Sequence, residues 1–259
     1  MDLGISGRTA IVCASSKGLG RACAEALAEA GVNLVINARS PEALESAADE
    51  IRNAYKVTVE TVAADVTTVE GCEALQERCS APDILVNNAG GPPAGDWRKF
   101  EREDWHKAVD SNMIGAIFLM RAYLDGMAER GFGRVVNITS GMVKAPRDVL
   151  SLSVAARLGL TGFVRGIVPA YAAKGVTINN LLPELFDTDR LRNNIGVLAK
   201  RDSLSLQEAI DVQLADCPAA RMGRPDEFGG TCAFLCSVQA GYMTGQSILL
   251  DGGRYPGVF

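Results

Sequence analysis

Histidine is almost missing from this chain: His106 is the only one in 259 residues. The seven cysteines (Cys13, Cys23, Cys72, Cys79, Cys217, Cys232 and Cys236) include no Cys-x-x-Cys pair. That supply of ligands speaks against any metal site of the zinc type, so none is expected. The odd cysteine count, mostly inside apolar segments, points to buried reduced thiols and away from a disulfide framework. No run of about 18 apolar residues is present, so no membrane-spanning helix is expected. The N-terminus, Met1-Asp2-Leu3-Gly4-Ile5, has no basic segment ahead of an apolar stretch and does not read as a signal peptide. Positive charge is short as well. With 26 Lys and Arg against 31 Asp and Glu the net charge is −5, which argues against general nucleic-acid binding. A phosphate site needs only local cations, so a nucleotide stays open. Together these absences lead us to expect a soluble, cytoplasmic protein with no membrane and no nucleic-acid partner.

What is present is a globular composition, 47% hydrophobic and 22% charged, enough for a sizeable core. Short β-branched runs alternate with longer helical stretches. Residues 9–14, 33–37, 57–63, 84–87, 134–138, 176–182 and 247–251 read as strands, and their continuous apolar character fits parallel strands buried on both faces. Helix patterns lie between them, for example over 21–30, 41–54 and 104–130. The alternation predicts an α/β fold: one Rossmann-type doubly wound parallel sheet of about seven strands with helices on both faces. No repeat or low-complexity linker interrupts it, so residues 1–259 are read as a single domain. Two segments are irregular: the loop Gly90-Gly91-Pro92-Pro93-Ala94-Gly95, and 187–218, whose length and mixed polarity suggest a helical flap over the substrate. In open α/β sheets, ligands bind beyond the carboxyl ends of the strands, where both segments would lie.

After the first strand comes Cys13-Ala14-Ser15-Ser16-Lys17-Gly18-Leu19-Gly20, and a helical stretch follows. Small residues here let backbone approach a pyrophosphate, and the helix start offers free N–H groups and the positive end of its dipole. A tight strand-to-helix turn would look similar. Its place at the first βα turn of a βαβ series favours the nucleotide.

These motifs resemble those of the short-chain dehydrogenase/reductase family. The family shows Thr-Gly-x-x-x-Gly-x-Gly at this turn; here Cys13 and Ala14 replace Thr-Gly. Asn87-Asn88-Ala89-Gly90 stands intact after the fourth strand, Asp65-Val66 occupies the adenine-bracketing position, and Ser140 ends Val135-Val136-Asn137-Ile138-Thr139-Ser140. The likeness extends to the closing Leu250-Asp251-Gly252-Gly253. It implies cofactor contacts from Ala14, Ser16, Lys17, Gly18, Leu19, Arg39, Asp65, Val66, Asn88, Ala89, Gly90, Arg157, Pro183 and Thr188. An NAD site of this type carries an acid just after the second strand, for the ribose 2′-hydroxyl. The sequence has Asn37-Ala38-Arg39-Ser40 instead. Arg39 can grip a 2′-phosphate bidentately and Lys17 can add a second cation, so the expected cofactor is NADP(H). Solvated surface cations are the plainer reading of both.

The resemblance implies hydride transfer between the nicotinamide and a carbonyl or alcohol carbon. In the family a tyrosine moves the proton, a lysine four residues later tunes it, a serine holds the substrate oxygen, and an asparagine completes the set. Asn112 matches the asparagine and Ser140 the serine. The tyrosine position holds Ser153 and the lysine position Arg157, with no tyrosine in register nearby. A serine hydroxyl is a far weaker acid than a phenol of pKa near 10, and it is shorter. Loss of a placed general acid costs about 10²- to 10⁴-fold in rate. The usual Pro-Gly after the sixth strand is Pro183-Glu184, so Glu184 is a substitute proton donor if burial raises its pKa. It could equally face solvent or pair with an arginine such as Arg190. Lys144, Asp148 and His106 are weaker substitutes.

Three functions follow as alternatives. The first is an NADP(H)-dependent oxidoreductase, similar to β-ketoacyl carrier-protein reductase-like members, acting on a small-molecule carbonyl or alcohol. The second is a redox-neutral isomerase, dehydratase or lyase, and the third a non-catalytic NADP-binding protein. Members of the family form dimers or tetramers. Ile114, Ile117, Phe118, Leu160, Phe163 and Ile167 could serve a homo-oligomer interface or the core. Pro169 is expected to disturb the end of its helix.

Overall fold

The computed structural model describes residues 1–258. Seven strands form one sheet among the described residues: β1 (Thr9–Val12), β2 (Asn33–Ala38), β3 (Val59–Ala63), β4 (Ile84–Asn87), β5 (Gly133–Ile138), β6 (Val176–Pro183) and β7 (Ser247–Leu250). Their order is β3-β2-β1-β4-β5-β6-β7, and every neighbouring pair is parallel. The doubly wound parallel sheet expected from the sequence is therefore the fold. The chain reverses its direction of travel between β1 and β4, and the crevice for a ligand opens there.

The helices are α1 (Gly18–Glu29), α2 (Pro41–Tyr55), α3 (Val69–Arg78), α4 (Arg102–Val109), α5 (Gly115–Glu129), α6 (Ser151–Tyr171), α7 (Asp189–Asp202), α8 (Leu206–Leu214) and α9 (Pro225–Cys236). Their starts follow local chemistry. Pro41 and Pro225 stand at first helical positions, where the missing N–H costs nothing. Thr68 accepts the Gly71 N–H at 3.1 Å to cap α3, and Ser205 with Glu208 forms a capping box on α8.

Alternate residues of the central strands feed two cores. Ala10, Val12, Val86 and Val136 join Leu27 of α1, Leu44 of α2 and Phe228 of α9 on one face. Ile11, Leu85 and Val135 join Leu75 of α3, Met120 of α5 and Leu160 of α6 on the other. Each large side chain so buried contributes roughly 1.5–3 kcal/mol. Leu160, a candidate interface residue, is a core residue. Helices α1 and α9 meet so closely that a Cβ on Gly229 would lie 2.2 Å from the Ala22 carbonyl oxygen.

Some boundaries differ from the sequence reading. β1 stops at Val12, short of 14, because Ala14 adopts φ +47, outside any strand. β3 begins at Val59 and β7 ends at Leu250. The pattern over 104–130 is continuous but not uniform: residues 110–114 form one π-helical turn between α4 and α5. All seven cysteines are unpaired, and six are buried. His106 is exposed on α4, and no group of metal ligands exists among the described residues. By length and hydropathy alone, 148–174 could cross a membrane. Here its inner face, Leu152, Ala156, Leu160, Val164 and Val168, is buried, and its length carries Arg157 and Arg165. Pro169 sits in the last turn of α6, which gives way after Tyr171 to a 3₁₀ turn.

Candidate active site

The carboxyl ends of β1, β2, β4, β5 and β6 bring most of the sequence-selected residues to one crevice. At the β1 turn, Ser15 is fully buried; its hydroxyl donates to the Val12 carbonyl at 2.8 Å and accepts the Asn37 N–H at 3.2 Å. Ser15 thus locks the turn to β2, a role the sequence reading missed. Gly20 is required by close approach: a Cβ there would stand 2.4 Å from the Ala14 oxygen and 2.7 Å from Asn88 Nδ2. The Asn88 amide donates to that same oxygen at 3.2 Å, tying the β4 loop to the β1 turn. Lys17 precedes α1 as its N-cap but makes no side-chain cap, so the first-turn N–H groups keep their anion-binding capacity.

Lys17 and Arg39 are both exposed, and neither has an ion-pair partner among the described residues. Ala38 is the last residue of β2, with no carboxylate in its place. Asp65 is partly buried and turns its carboxylate back onto the Thr67 N–H at 3.0 Å; Val66 follows it at partial exposure. Thr188 caps α7 by accepting the Leu191 N–H at 3.3 Å, and its methyl would lie 3.9 Å from a Cβ on Gly18. A cavity of about 300 Å³ opens between these two elements, lined by Gly18, Arg21, Thr188 and Arg192. Free cations, an uncapped helix start and glycines at the point of closest approach fit an NADP(H) nucleotide better than they fit an NAD one.

Deeper in the crevice, Asn112 lies in the π-helical turn, which aims it inward. Such single turns often mark functional sites. Its amide donates to the Gly90 carbonyl at 3.3 Å and to Ser111 Oγ at 2.7 Å, while its Oδ1 is buried without a partner. Asn87 Oδ1 is likewise unpartnered, and both residues line a cavity of about 20 Å³ together with Cys13 and Arg157. Those orphaned acceptors suit a hydroxyl-bearing ligand.

Ser140 is half-buried at the end of β5, and its Oγ accepts the Met142 N–H at 3.2 Å. Ser153 stands in the first turn of α6. Its Oγ accepts from Arg157 Nε at 3.1 Å, leaving the hydroxyl proton free. Arg157 itself is 8% exposed, and Nη1 donates to the carbonyls of Ile138 and Thr139. The two Nη1 N–H groups therefore fasten α6 to the end of β5 and Nε turns onto Ser153 within α6, leaving Nη2 for a ligand. Burial pushes this guanidinium down to about 10, and the neighbouring charge of Arg190 adds to the effect. It remains a cation at neutral pH.

Glu184 is pinned to an arginine, although not to Arg190. Its Oε1 accepts from Arg254 Nη1 at 3.0 Å and lies 3.8 Å from Arg147 Nη2. Burial raises the Glu184 carboxyl above its ordinary value, and the Arg254 and Arg147 charges oppose that rise. Arg190 instead reaches across the crevice, donating to the Gly91 carbonyl at 2.8 Å. Of the weaker candidates, Lys144 lies 5.8 Å from the Tyr255 ring centre and Asp148 turns onto the Val149 N–H. Pro183 and Ala89 are partly buried at the crevice wall.

A family described as Enoyl-(Acyl carrier protein) reductase matches residues 13–254. The chain belongs to the short-chain dehydrogenase/reductase family. Among relatives, the 3-oxoacyl-(acyl-carrier-protein) reductase of Vibrio harveyi is 31% identical, over 98% of this chain and 99% of its own. Gluconate 5-dehydrogenase of Gluconobacter oxydans is 29% identical over 96% of this chain and 95% of its own. The L-sorbose reductase of Gluconobacter frateurii, solved with NADPH and L-sorbose, superposes with a TM-score of 0.95 at 28% identity, covering all of both chains. The short-chain dehydrogenase/reductase crevice is thus the frame in which Ser153, Arg157 and Glu184 sit.

Proposed function

We propose that this chain is a cytoplasmic NADP(H)-dependent oxidoreductase acting on a carbonyl/alcohol pair, with Ser153 and Arg157 where the family places tyrosine and lysine. The observation that carries this reading is the pair of uncommitted cations, Lys17 and Arg39, beside a β2 end that lacks an acid. The NADPH held by the L-sorbose reductase relative supports the same cofactor. When bound, the nicotinamide gives or takes a hydride at the substrate carbon.

The chain's own residues do the rest. Lys17 and Arg39 hold the 2′-phosphate, the α1 start holds the pyrophosphate, and Asp65 with Val66 brackets the adenine. Arg157 Nη2 and Asn112 Oδ1 take ribose hydroxyls, and Thr188 orients the carboxamide. Ser140 holds the substrate oxygen. The proton passes to that oxygen from Ser140 through water, or from Glu184, whose burial keeps it easier to protonate than an ordinary glutamate. The segment 187–218, with α7 and α8, covers the substrate. The outer face of α6, where Leu158, Gly159, Gly162 and Gly166 are exposed, joins copies of the chain in a homo-oligomer.

A non-catalytic or redox-neutral role draws support from one feature. Arg157 spends both Nη1 donors on carbonyls at the end of β5, which suits a scaffold better than a proton relay. Single-turnover NADPH oxidation with a ketone panel separates the readings. Slow turnover by the wild type, lost in Ser140→Ala, supports the oxidoreductase. An inert wild type overturns it. Ser153→Tyr with Arg157→Lys is expected to raise the rate by about 10²-fold or more.

A further inference from the structure

The floor of the crevice beside Ser140 is ionic. Glu184 packs its Cβ and Cγ against Gly141, the residue after Ser140: a Cβ built on that glycine would lie 3.4 and 3.6 Å from them. Its carboxylate and the Arg254 guanidinium are nearly enclosed, their side chains 12% and 9% exposed. Only Oε1 of Glu184 is engaged, so Oε2 carries no hydrogen bond and remains an acceptor. Arg147, with its side chain 45% exposed, approaches Oε1 no closer than 3.8 Å and makes no hydrogen bond. Its donors are unspent. The nearby acids Asp148 and Asp251 are committed elsewhere: Asp148 accepts from the Val149 N–H, and Asp251 from the Gly253 and Tyr255 N–H groups. An open carboxylate oxygen and an open guanidinium therefore stand side by side, next to the residue that follows Ser140.

We infer that the crevice takes a short polyhydroxylated carboxylate, with a hydroxyl on Glu184 Oε2 and the carboxylate on Arg147. This rests on the reading of the crevice as a nicotinamide-dependent site. Hydroxyl groups can accept and donate at such a pair. An aliphatic acyl chain laid over it would strip water from two charges and return no hydrogen bond. A planar guanidinium also matches a carboxylate bidentately, which gives Arg147 selectivity for an acid over a neutral polyol of equal length.

The test is calorimetric titration of the NADP⁺-saturated protein with D-gluconate, with D-sorbitol, its uncharged six-carbon counterpart, and with an acetoacetyl thioester. Gluconate is expected to bind at least tenfold tighter than sorbitol and the thioester. In Arg147→Gln that preference over sorbitol should collapse about tenfold while sorbitol binding holds. Glu184→Gly should weaken both polyols. Because that variant strips Arg254 of its partner and can unfold, the surface variant Arg147→Gln carries the decision. Preference for the thioester, equal losses for gluconate and sorbitol in Arg147→Gln, or no gluconate binding by a protein that does bind NADPH would each overturn the inference. If NADPH itself does not bind, the proposed function fails first and this inference falls with it.

Discussion

The β1 turn allows two opposite substitutions across one contact. Gly20→Ala drives a methyl to 2.4 Å from the Ala14 carbonyl oxygen and 2.7 Å from Asn88 Nδ2. Overpacking of this kind costs about 1–3 kcal/mol, and loss of the Asn88 bond to Ala14 adds about 0.5–1.5 kcal/mol. The sum, roughly 2–4 kcal/mol, should lower Tm by about 5–15 °C in a chain of this size. Ala14→Gly works the other way. Ala14 holds φ +47, a region costing an L-residue roughly 1–2 kcal/mol. Set against the extra backbone entropy of glycine, the swap should gain up to about 1 kcal/mol, or about 2–4 °C. Thermal unfolding followed by circular dichroism reads both. NADPH titration of Gly20→Ala should show weakened binding as well, since the displaced backbone is the proposed phosphate cradle. A Gly20→Ala protein as stable as wild type, or an Ala14→Gly protein that is less stable, would refute the turn geometry.

Two further predictions concern stability. Adjacent glycines in α9 should respond with opposite sign: Gly229→Ala collides with the Ala22 oxygen at 2.2 Å, while Gly230→Ala meets nothing within 4 Å. The first should destabilise by about 1–3 kcal/mol and the second stabilise by up to about 1 kcal/mol, measured by urea denaturation. On the acid side, Arg221 holds the Glu227 carboxyl down to about 2 from 4.5. Its stabilising contribution is present above pH 4.5 and is lost as pH falls through 2. Glu227→Gln should therefore lower stability near neutrality. Its pH–Tm curve should be flatter than the wild type's across that window.

Local chemistry made the frame readable from sequence. Buried parallel strands need unbroken apolar runs, and these located all seven strands to within a few residues. The β1 turn, Asn87-Asn88-Ala89-Gly90 and Ser140 were legible because their spacing is set within one loop. What escaped was long-range or conformational. The partner of Glu184 lies 70 residues away in Arg254, and Arg190 reaches a carbonyl 99 residues away. Apolar periodicity cannot say which of several arginines folds back onto a given carboxylate. The π-helical turn over 110–114 differs from an α-helix by one residue per turn, a change that leaves the apolar pattern almost intact. Arg157 stood among the cofactor contacts that the resemblance implies, while the burial that turns it toward Ile138 and Thr139 depends on how α6 meets β5.

Titration of the purified protein with NADPH and with NADH, for the wild type and for Lys17→Ala with Arg39→Ala, tests the central claim most directly. Charge-assisted contacts from both cations predict that the wild type prefers NADPH. They also predict that the double variant loses about tenfold to a hundredfold in NADPH affinity with NADH affinity unchanged. Equal binding of the two nucleotides by the wild type, or binding of neither, would contradict it.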